Sequence, residues 1–208
     1  MGRAGDLAKT AARLGRAARA RNPRGRTVPS LFFLTDPIRT PDPASVIAAL
    51  PAGAGVIYRA FGATDAEAAA RPLRALARAR RVVFLVGADE RLAARLGADG
   101  LHLPERLMAR ARRVRARRPD WLITAAAHGP GAVARAARLG LDAVLVSTVF
   151  ASASPSARRL MGVVRFAALV RSARLPVIAL GGVEAATARR LARTHAAGLA
   201  AIGGLSGG

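Results

Sequence analysis

The chain has 208 residues, of which 52% are hydrophobic, and a mean hydropathy of +0.24. It is therefore long enough for one domain with a full core, and too apolar to be wholly disordered. It contains no cysteine, which excludes disulfides, thiolate metal sites and a cysteine nucleophile.

The formal charge of +22 does not by itself indicate a nucleic-acid site. Arginine supplies almost all of it, since Lys9 is the only lysine, and the arginines of 71–81 and 106–118 fall on amphipathic segments whose outer faces would be solvated in any fold. No apolar run approaches the roughly 18 residues that a membrane span needs. We predict a cytoplasmic protein with no membrane partner and no specific nucleic-acid partner; a homo-oligomer is compatible with the sequence.

Residues 1–27 differ from the rest of the chain because they are basic, contain no aromatic residue and end in a run broken by Pro and Gly. We interpret them as a basic N-terminal arm or helix ahead of a domain over 28–208. The sequence leaves open whether the arm is flexible, partly helical over 6–20, an upstream extension of the domain or a targeting peptide.

From Val28 onward, short runs of bulky apolar residues alternate with Ala/Arg-rich stretches of helical periodicity. The apolar runs predict eight strands, at 31–35, 55–59, 82–86, 100–103, 121–127, 143–147, 176–180 and 199–203. Helices are predicted near 43–50, 65–80, 89–97, 105–118, 130–139, 160–173 and 184–196. Continuous apolar strands joined by helices favour an α/β fold with a parallel sheet, and eight such units favour a single (β/α)8 TIM barrel. A doubly wound open sheet is the alternative, but no G-x-G-x-x-G follows the first strand.

The carboxyl ends of the strands are where a barrel of this kind places its active site. The polar side chains predicted there include Asp36, Arg59, Asp89, His102, Glu105, His128 and the serines of 147–154. Two glycine pairs, Gly181 with Gly182 and Gly203 with Gly204, follow the seventh and eighth strands, where barrels commonly bind phosphate through backbone N–H groups. The sequence therefore predicts a site for a small phosphorylated substrate.

Five segments, LFFLTD, GADGLHLPE, GLDAVLVSTVFASASP, VIALGGV and GLAAIGGL, follow one another in this order. In order and spacing they resemble the thiamine phosphate synthase/TenI superfamily of barrels, over Val28 to Leu205. Synthases of this superfamily join a pyrimidine methyl pyrophosphate to a thiazole phosphate with magnesium assistance. TenI-type members tautomerise a thiazole carboxylate phosphate without needing that metal. The resemblance implies one of these activities.

The chain departs from the synthase pattern where pyrophosphate and magnesium would bind. The family's Arg-x-Lys after strand two keeps Arg59 but has Phe61 at the lysine, and its Asn-Asp after strand three corresponds to Gly87 and Ala88. Its aspartate after strand four corresponds to Leu107. Magnesium prefers carboxylate oxygens, and a departing pyrophosphate needs its charge neutralised, so we predict no metal site of the family's kind.

The positions that would bind the thiazole phosphate agree more closely with the family's pattern. After strand six the family reads Gly-Pro-x-Phe-x-Thr-x-Thr-Lys; this chain keeps Phe150, offers Ser152 and Ser154 for the threonines and has Pro155 at the lysine. The resemblance implies that Ser152, Ser154 and the two glycine pairs bind the ligand. Arg59 is assigned to the ligand's phosphate or to its pyrimidine side.

His128, in AAAHGPG after strand five, is the catalytic candidate. It falls on a histidine that TenI-type enzymes use in proton transfer, and imidazole side chains titrate near neutral pH, which suits that role. The alternative is a histidine that only hydrogen-bonds its loop. His102 matches the family's Gly-x-His-Leu and is expected to be structural, and Asp36, followed by Pro37, fits a turn as well as a site.

Three hypotheses follow. The favoured one is a TenI-like barrel that binds a thiazole phosphate or a similar small phosphate, with His128 as its proton-transfer residue. The second is a magnesium-dependent synthase whose ion has moved to Asp89 and Glu105, with Arg158 or Arg159 replacing the lost lysine. The third is a catalytically inactive barrel used for regulation or binding. Magnesium is predicted as a cofactor only under the second hypothesis.

Overall fold

The computed structural model describes residues 3–21, 26–152 and 160–205. Its strands are β1 Leu31–Leu34, β2 Gly55–Tyr58, β3 Val83–Gly87, β4 Gly100–Leu103, β5 Leu122–Ala127, β6 Ala143–Val146, β7 Val177–Ala179 and β8 Gly198–Ala201. Each strand is parallel to the next, and β8 pairs with β1, which closes the barrel. The predicted TIM barrel and its eight strands are confirmed, and the open sheet is wrong.

The α-helices lie on the outside of the barrel, with α1 before β1 and the others between successive strands. They are α1 Arg3–Arg21, α2 Pro43–Ala49, α3 Ala66–Ala79, α4 Glu90–Arg95, α5 Ala111–Arg117, α6 Pro130–Arg138, α7 Val163–Ser172 and α8 Ala185–Ala188, with 3-10 helices η1 Glu105–Arg110, η2 Arg189–Leu191 and η3 Gly203–Leu205. No helix in the described ranges is both long enough and apolar enough to cross a membrane.

The predicted helix over 184–196 is wrong in its extent, because α8 and η2 end at Leu191. The next residues form a turn in which the Thr194 hydroxyl donates to the Leu191 carbonyl at 2.7 Å, and His195 takes a left-handed conformation with φ 64°. A threonine hydroxyl that bonds a nearby carbonyl competes with the helical pattern, and a left-handed residue ends it.

Helix α1 covers the seam where β8 meets β1. Leu7, Ala11 and Leu14 are buried, and their spacing of four and three places them on one face of the helix. This face packs against β8, β1, α8 and η3 and belongs to the same core as the barrel. After β8 the described chain continues only as η3, so α1 supplies the helical cover of this seam. The helical alternative for the N-terminal residues thus applies to 3–21; the domain boundary near Val28 stays a prediction.

The strands separate the core into two layers. Side chains that alternate along a strand point to opposite faces, so Phe32, Leu34 and Ile57 pack inside the barrel while Phe33 and Val56 pack against the helices. The interior set also includes Leu85, Leu122, Leu145, Ile178 and Ala200. Continued past the strand ends, the same alternation places Arg59, two positions beyond Ile57, and Ser147, two positions beyond Leu145, at the mouth of the barrel.

We expect Leu7→Ala to lower the free energy of unfolding of the whole barrel by about 2–5 kcal/mol, because it leaves a cavity at the seam. Chemical denaturation followed by circular dichroism measures this change. The matched control is Arg16→Ala, on the exposed face of α1, which should change the free energy by no more than about 0.5 kcal/mol. A stability unchanged by Leu7→Ala would contradict the packing role of α1.

Candidate functional site

A cavity of about 740 Å³ opens at the carboxyl ends of β1, β2, β6, β7 and β8. Of the residues that the sequence assigned to ligand binding, it is lined by Arg59, Ser152, Gly181, Gly182, Gly203 and Gly204. Ser154, and with it Pro155, Arg158 and Arg159, lies outside the described residues. Six predicted binding residues, spread over more than 140 positions of the sequence, therefore meet at one cavity.

The loop after β6 lies against the end of β7, and Gly182 makes this contact sterically feasible. The N–H of Phe150 donates to the Gly181 carbonyl at 3.0 Å, and a Cβ built at Gly182 would stand 2.2 Å from the Ala151 carbonyl oxygen. Gly182 also has φ +62°, a conformation that other residues rarely adopt. Close packing and the backbone conformation therefore explain the glycine at position 182 without any ligand.

Gly203 differs from Gly182 in its surroundings. A Cβ built at Gly203 meets no atom within 4 Å, although the residue lines the cavity at the end of β8. Packing among the described residues therefore does not require a glycine at this position. A bare backbone at a cavity wall lets a ligand come close to the main chain.

Three arginines and one carboxylate line the cavity among the described residues: Arg39, Arg59, Arg190 and Glu184. Arg190 belongs to η2, and its guanidinium carbon stands 5.4 Å from the centre of the Phe150 ring. Glu184 is the N-cap of α8, where its side chain and that of Thr187 form a capping box. The excess of positive charge makes the cavity suitable for an anionic ligand.

Arg59 enters the cavity from the end of β2. Its Nε donates to the Thr35 carbonyl at 2.7 Å and its Nη2 to Asp36 Oδ2 at 3.2 Å. Its guanidinium carbon stands 4.7 Å from the centre of the Phe61 ring, so Phe61, at the family's lysine position, packs on Arg59 instead of adding a second charge. Burial lowers the pKa of Arg59, and Asp36 opposes that effect; a guanidinium stays protonated in either case.

Asp36 has two roles in the first loop. Its Oδ1 accepts from the backbone N–H groups of Ile38 and Arg39 at 3.1 and 3.0 Å, which closes a turn. Its Oδ2 accepts from the guanidinium groups of Arg39 and Arg59. Burial would raise the pKa of Asp36, but the hydrogen bonds and the charge of Arg39 outweigh burial and lower it.

His128 lies after β5 and is not among the residues that line the cavity. Its Nδ1 is 2.7 Å from Glu105 Oε2, its backbone N–H donates to the same oxygen at 3.0 Å, and Arg135 donates to Glu105 Oε1 at 3.3 Å. Burial acts to raise the pKa of Glu105, but these partners lower it. An ionised carboxylate only accepts, so Nδ1 carries the hydrogen and Nε2 of the neutral ring is left as an acceptor.

His102 lies inside the barrel, as expected for a structural residue. It is 7% exposed, and its Nδ1 is 2.9 Å from the Thr124 hydroxyl on the neighbouring strand β5. Burial, helped by the charge of Arg59, lowers the pKa of His102 to about 4. The neutral imidazole and the Thr124 hydroxyl therefore form a polar contact within the largely apolar interior of the barrel.

The two carboxylates considered for a displaced magnesium ion both have protein partners. No three His, Asp or Glu side chains among the described residues come together as metal ligands. Asp89, one of the two carboxylates considered for a displaced ion, accepts from the Leu92 N–H at 2.9 Å as the N-cap of α4. Glu105, the other, is held by His128 and Arg135.

Comparison with known proteins identifies the relatives of this chain. A family described as thiamine monophosphate synthase matches residues 31–205. The chain is 34% identical over 194 residues to the thiamine-phosphate synthase of Marinobacter nauticus, an alignment that covers 89% of this chain and 86% of that protein. It is 29% identical over 181 residues to the thiamine-phosphate synthase of Pyrococcus furiosus, covering 85% and 86%.

The solved structures agree with the sequence relatives. The barrel is similar to a thiamine phosphate pyrophosphorylase from Pyrococcus furiosus, with a TM-score of 0.72 and 27% sequence identity over 83% of this chain and 85% of that one. The 3-hexulose-6-phosphate synthase is similar in fold alone, with a TM-score of 0.57 and 16% identity over 84% of this chain and 90% of that one.

We expect the stability of the protein to fall between pH 6.5 and pH 4 through His102. The unfolded chain takes up a proton at His102 near pH 6.5, whereas the folded chain does so only near pH 4, so acid favours unfolding across this interval by up to about 3 kcal/mol. As the pH is lowered from 6.5 to 4, the unfolding free energy of wild type should fall relative to that of His102→Gln by up to about 3 kcal/mol. Parallel curves would contradict the burial of a neutral imidazole.

Proposed function

Because this chain belongs to the thiamine monophosphate synthase family, we propose that it acts in thiamine biosynthesis and binds a thiazole phosphate, or a similar small phosphate, at the mouth of its barrel. The phosphate lies at the ends of β7 and β8, against the backbone of Gly203 and Gly204, with the Ser152 hydroxyl and the Arg190 guanidinium beside it.

Gly203 is the observation that supports this proposal most strongly. A Cβ added to the glycines at 181, 182 or 204 would have other atoms within 3 Å, so packing accounts for these three glycines. Gly203 has open space there, and it is one of the residues that line a cavity whose described lining is net positive. Backbone N–H groups and arginines are the usual partners of phosphate oxygens, and a phosphate of charge near −2 suits this lining.

Proton transfer by His128 is a second proposal, supported by the Glu105–His128 pair. A carboxylate that holds Nδ1–H orients the ring and leaves Nε2 to accept a proton, which is the arrangement of a general base. His128 lies next to the cavity wall at Ser147, because β5 and β6 are neighbours, but not on that wall. The proposal therefore requires a ligand that extends from the glycines towards the end of β5.

We expect Gly203→Asp to weaken the binding of hydroxyethylthiazole phosphate by at least about tenfold, because a carboxylate then faces the ligand phosphate. Titration calorimetry in high salt, which screens nonspecific attraction to the +22 charge, measures the affinity. Gly203→Ala is the matched control and should bind within about threefold of wild type, since its Cβ has open space.

The same titration tests whether binding or turnover depends on magnesium. We expect the affinity to be independent of magnesium and no heat of turnover when magnesium and the pyrimidine pyrophosphate are added together. Equal affinities of Gly203→Asp and wild type for hydroxyethylthiazole phosphate would rule out the proposed phosphate position. Turnover that appears only with magnesium would restore the synthase hypothesis.

For the second proposal, we expect His128→Ala to bind hydroxyethylthiazole phosphate within about threefold of wild type while losing at least about a hundredfold in the rate of tautomerisation of a thiazole carboxylate phosphate. Glu105→Gln keeps the shape but not the charge, and should reduce the rate by a smaller factor. Proton exchange followed by NMR measures the rate. An undiminished rate in His128→Ala would exclude this residue as the base.

A further inference from the structure

A second cavity, of about 570 Å³, lies on the outer wall of the barrel between α3 and the turn that ends α4. We call it the α3–α4 groove; three arginines of α3 line it, together with small or apolar residues that include Ala75, Ala79 and Leu96. It shares no lining residue with the cavity at the mouth. Its wall at Gly97 comes shortly before the start of β4 at Gly100, so the groove lies towards the amino ends of the strands, away from the candidate site.

The three arginines form a row along one face of α3. Arg71, Arg74 and Arg78 are spaced by three and four residues, which places their side chains on the same side of a helix. The rise of a helix puts the first and last of them about 10 Å apart along its axis. Ala75 and Ala79 lie on the same wall and leave room in front of the helix backbone. The groove is therefore an elongated cavity bordered by a row of guanidinium groups.

Arg74, in the middle of the row, is held in one orientation. Its Nε and Nη2 donate to the Gly97 carbonyl at 3.1 and 2.7 Å, and its Nη1 and Nη2 donate to the Asp99 carboxylate at 3.2 and 3.0 Å. Its side chain is only 18% exposed. Asp99 balances its charge, so Arg74 serves as a fixed wall of the groove and ties α3 to the turn after α4.

The charges of the other arginines are balanced only in part. Glu67 pairs with both Arg71 and Arg95, so it compensates one of their two charges. Arg78 is exposed and has no hydrogen-bond or ion-pair partner within the ranges that the structure describes. With Arg74 neutralised, four guanidinium groups face two carboxylates, which leaves a net charge of about +2. The negative ends of α3 and α4 offset part of this charge but leave it positive.

We propose that the α3–α4 groove binds an oligophosphate, a chain of two or three phosphate groups that is either free or carried by a nucleotide. Arg71 and Arg78 contact the phosphates, because guanidinium groups form strong, charge-assisted hydrogen bonds to phosphate oxygens. An extended chain of phosphates matches a row of arginines better than a single phosphate does. The groove lies away from the mouth of the barrel, so its occupant is a second ligand, and this inference does not depend on the proposed function.

Titration calorimetry with tripolyphosphate and with ATP, both without magnesium and in salt that screens the surface charge, tests the groove. The proteins are wild type, Arg78→Gln, Arg113→Gln and Arg190→Gln. Arg113 is exposed on α5, so its replacement makes the same change in net charge outside the groove. Arg190 lines the cavity at the mouth, so its replacement reports binding there. Thermal unfolding without ligand checks that each variant is folded.

We expect wild type to bind tripolyphosphate saturably and Arg78→Gln to bind it at least about fivefold more weakly, because a charge-assisted hydrogen bond is lost. Arg113→Gln and Arg190→Gln should stay within about twofold of wild type. If ATP binds more tightly than tripolyphosphate and is equally sensitive to Arg78→Gln, the ligand is a nucleotide; equal affinities identify the phosphate chain itself. The groove is wrong as a site if wild type shows no saturable binding, if Arg78→Gln and Arg113→Gln weaken it equally, or if only Arg190→Gln weakens it.

Discussion

Pairing of β8 with β1 closes the barrel whose mouth carries the candidate site. Closure leaves no free edge and gives the sheet an inside and an outside. Along each strand the side chains alternate between these two faces. Ile57 and Leu145 lie in the interior, and two residues further on Arg59 and Ser147 line the cavity. The seam that makes this closure is covered by α1, which also packs against η3, so this helix supports the geometry of the site from outside the barrel.

Ion pairs with acidic residues neutralise several of the arginines on the outside of the barrel. Several acidic residues are paired on the outside of the barrel: Asp99 with Arg74, Asp142 with Arg115 and Glu90 with Arg117. Asp99 and Asp142 also accept from backbone N–H groups at the start of β3 and of β5, so they help to hold the sheet. At the cavity, the described lining residues include three arginines and one carboxylate, so a net positive charge remains there. An anion entering the cavity supplies the missing negative charge.

Much of the architecture could be predicted from the sequence because each strand is a continuous run of bulky apolar residues, as a strand covered on both faces must be. The glycine pairs and Arg59 could be found because they follow such runs directly. Arg39 and Arg190 could not, since each is one arginine among many and only the folded loops bring them to the cavity. The contact between Glu105 and His128 had a weaker signal: both follow neighbouring strands, but the sequence gives no measure of how far a loop turns inward.

Amide NMR during a titration with hydroxyethylthiazole phosphate, in high salt and without magnesium, shows residue by residue whether a phosphate lies against the backbone at the end of β8. If the phosphate lies there, the amide shifts will be saturable, will be largest at Gly203 and Gly204 and will extend to Ser152 and Gly182. Shifts that never saturate and that fall instead on the arginine-rich outer faces of α3 and α5 would contradict it, because they would show attraction to the surface charge and no site in the cavity.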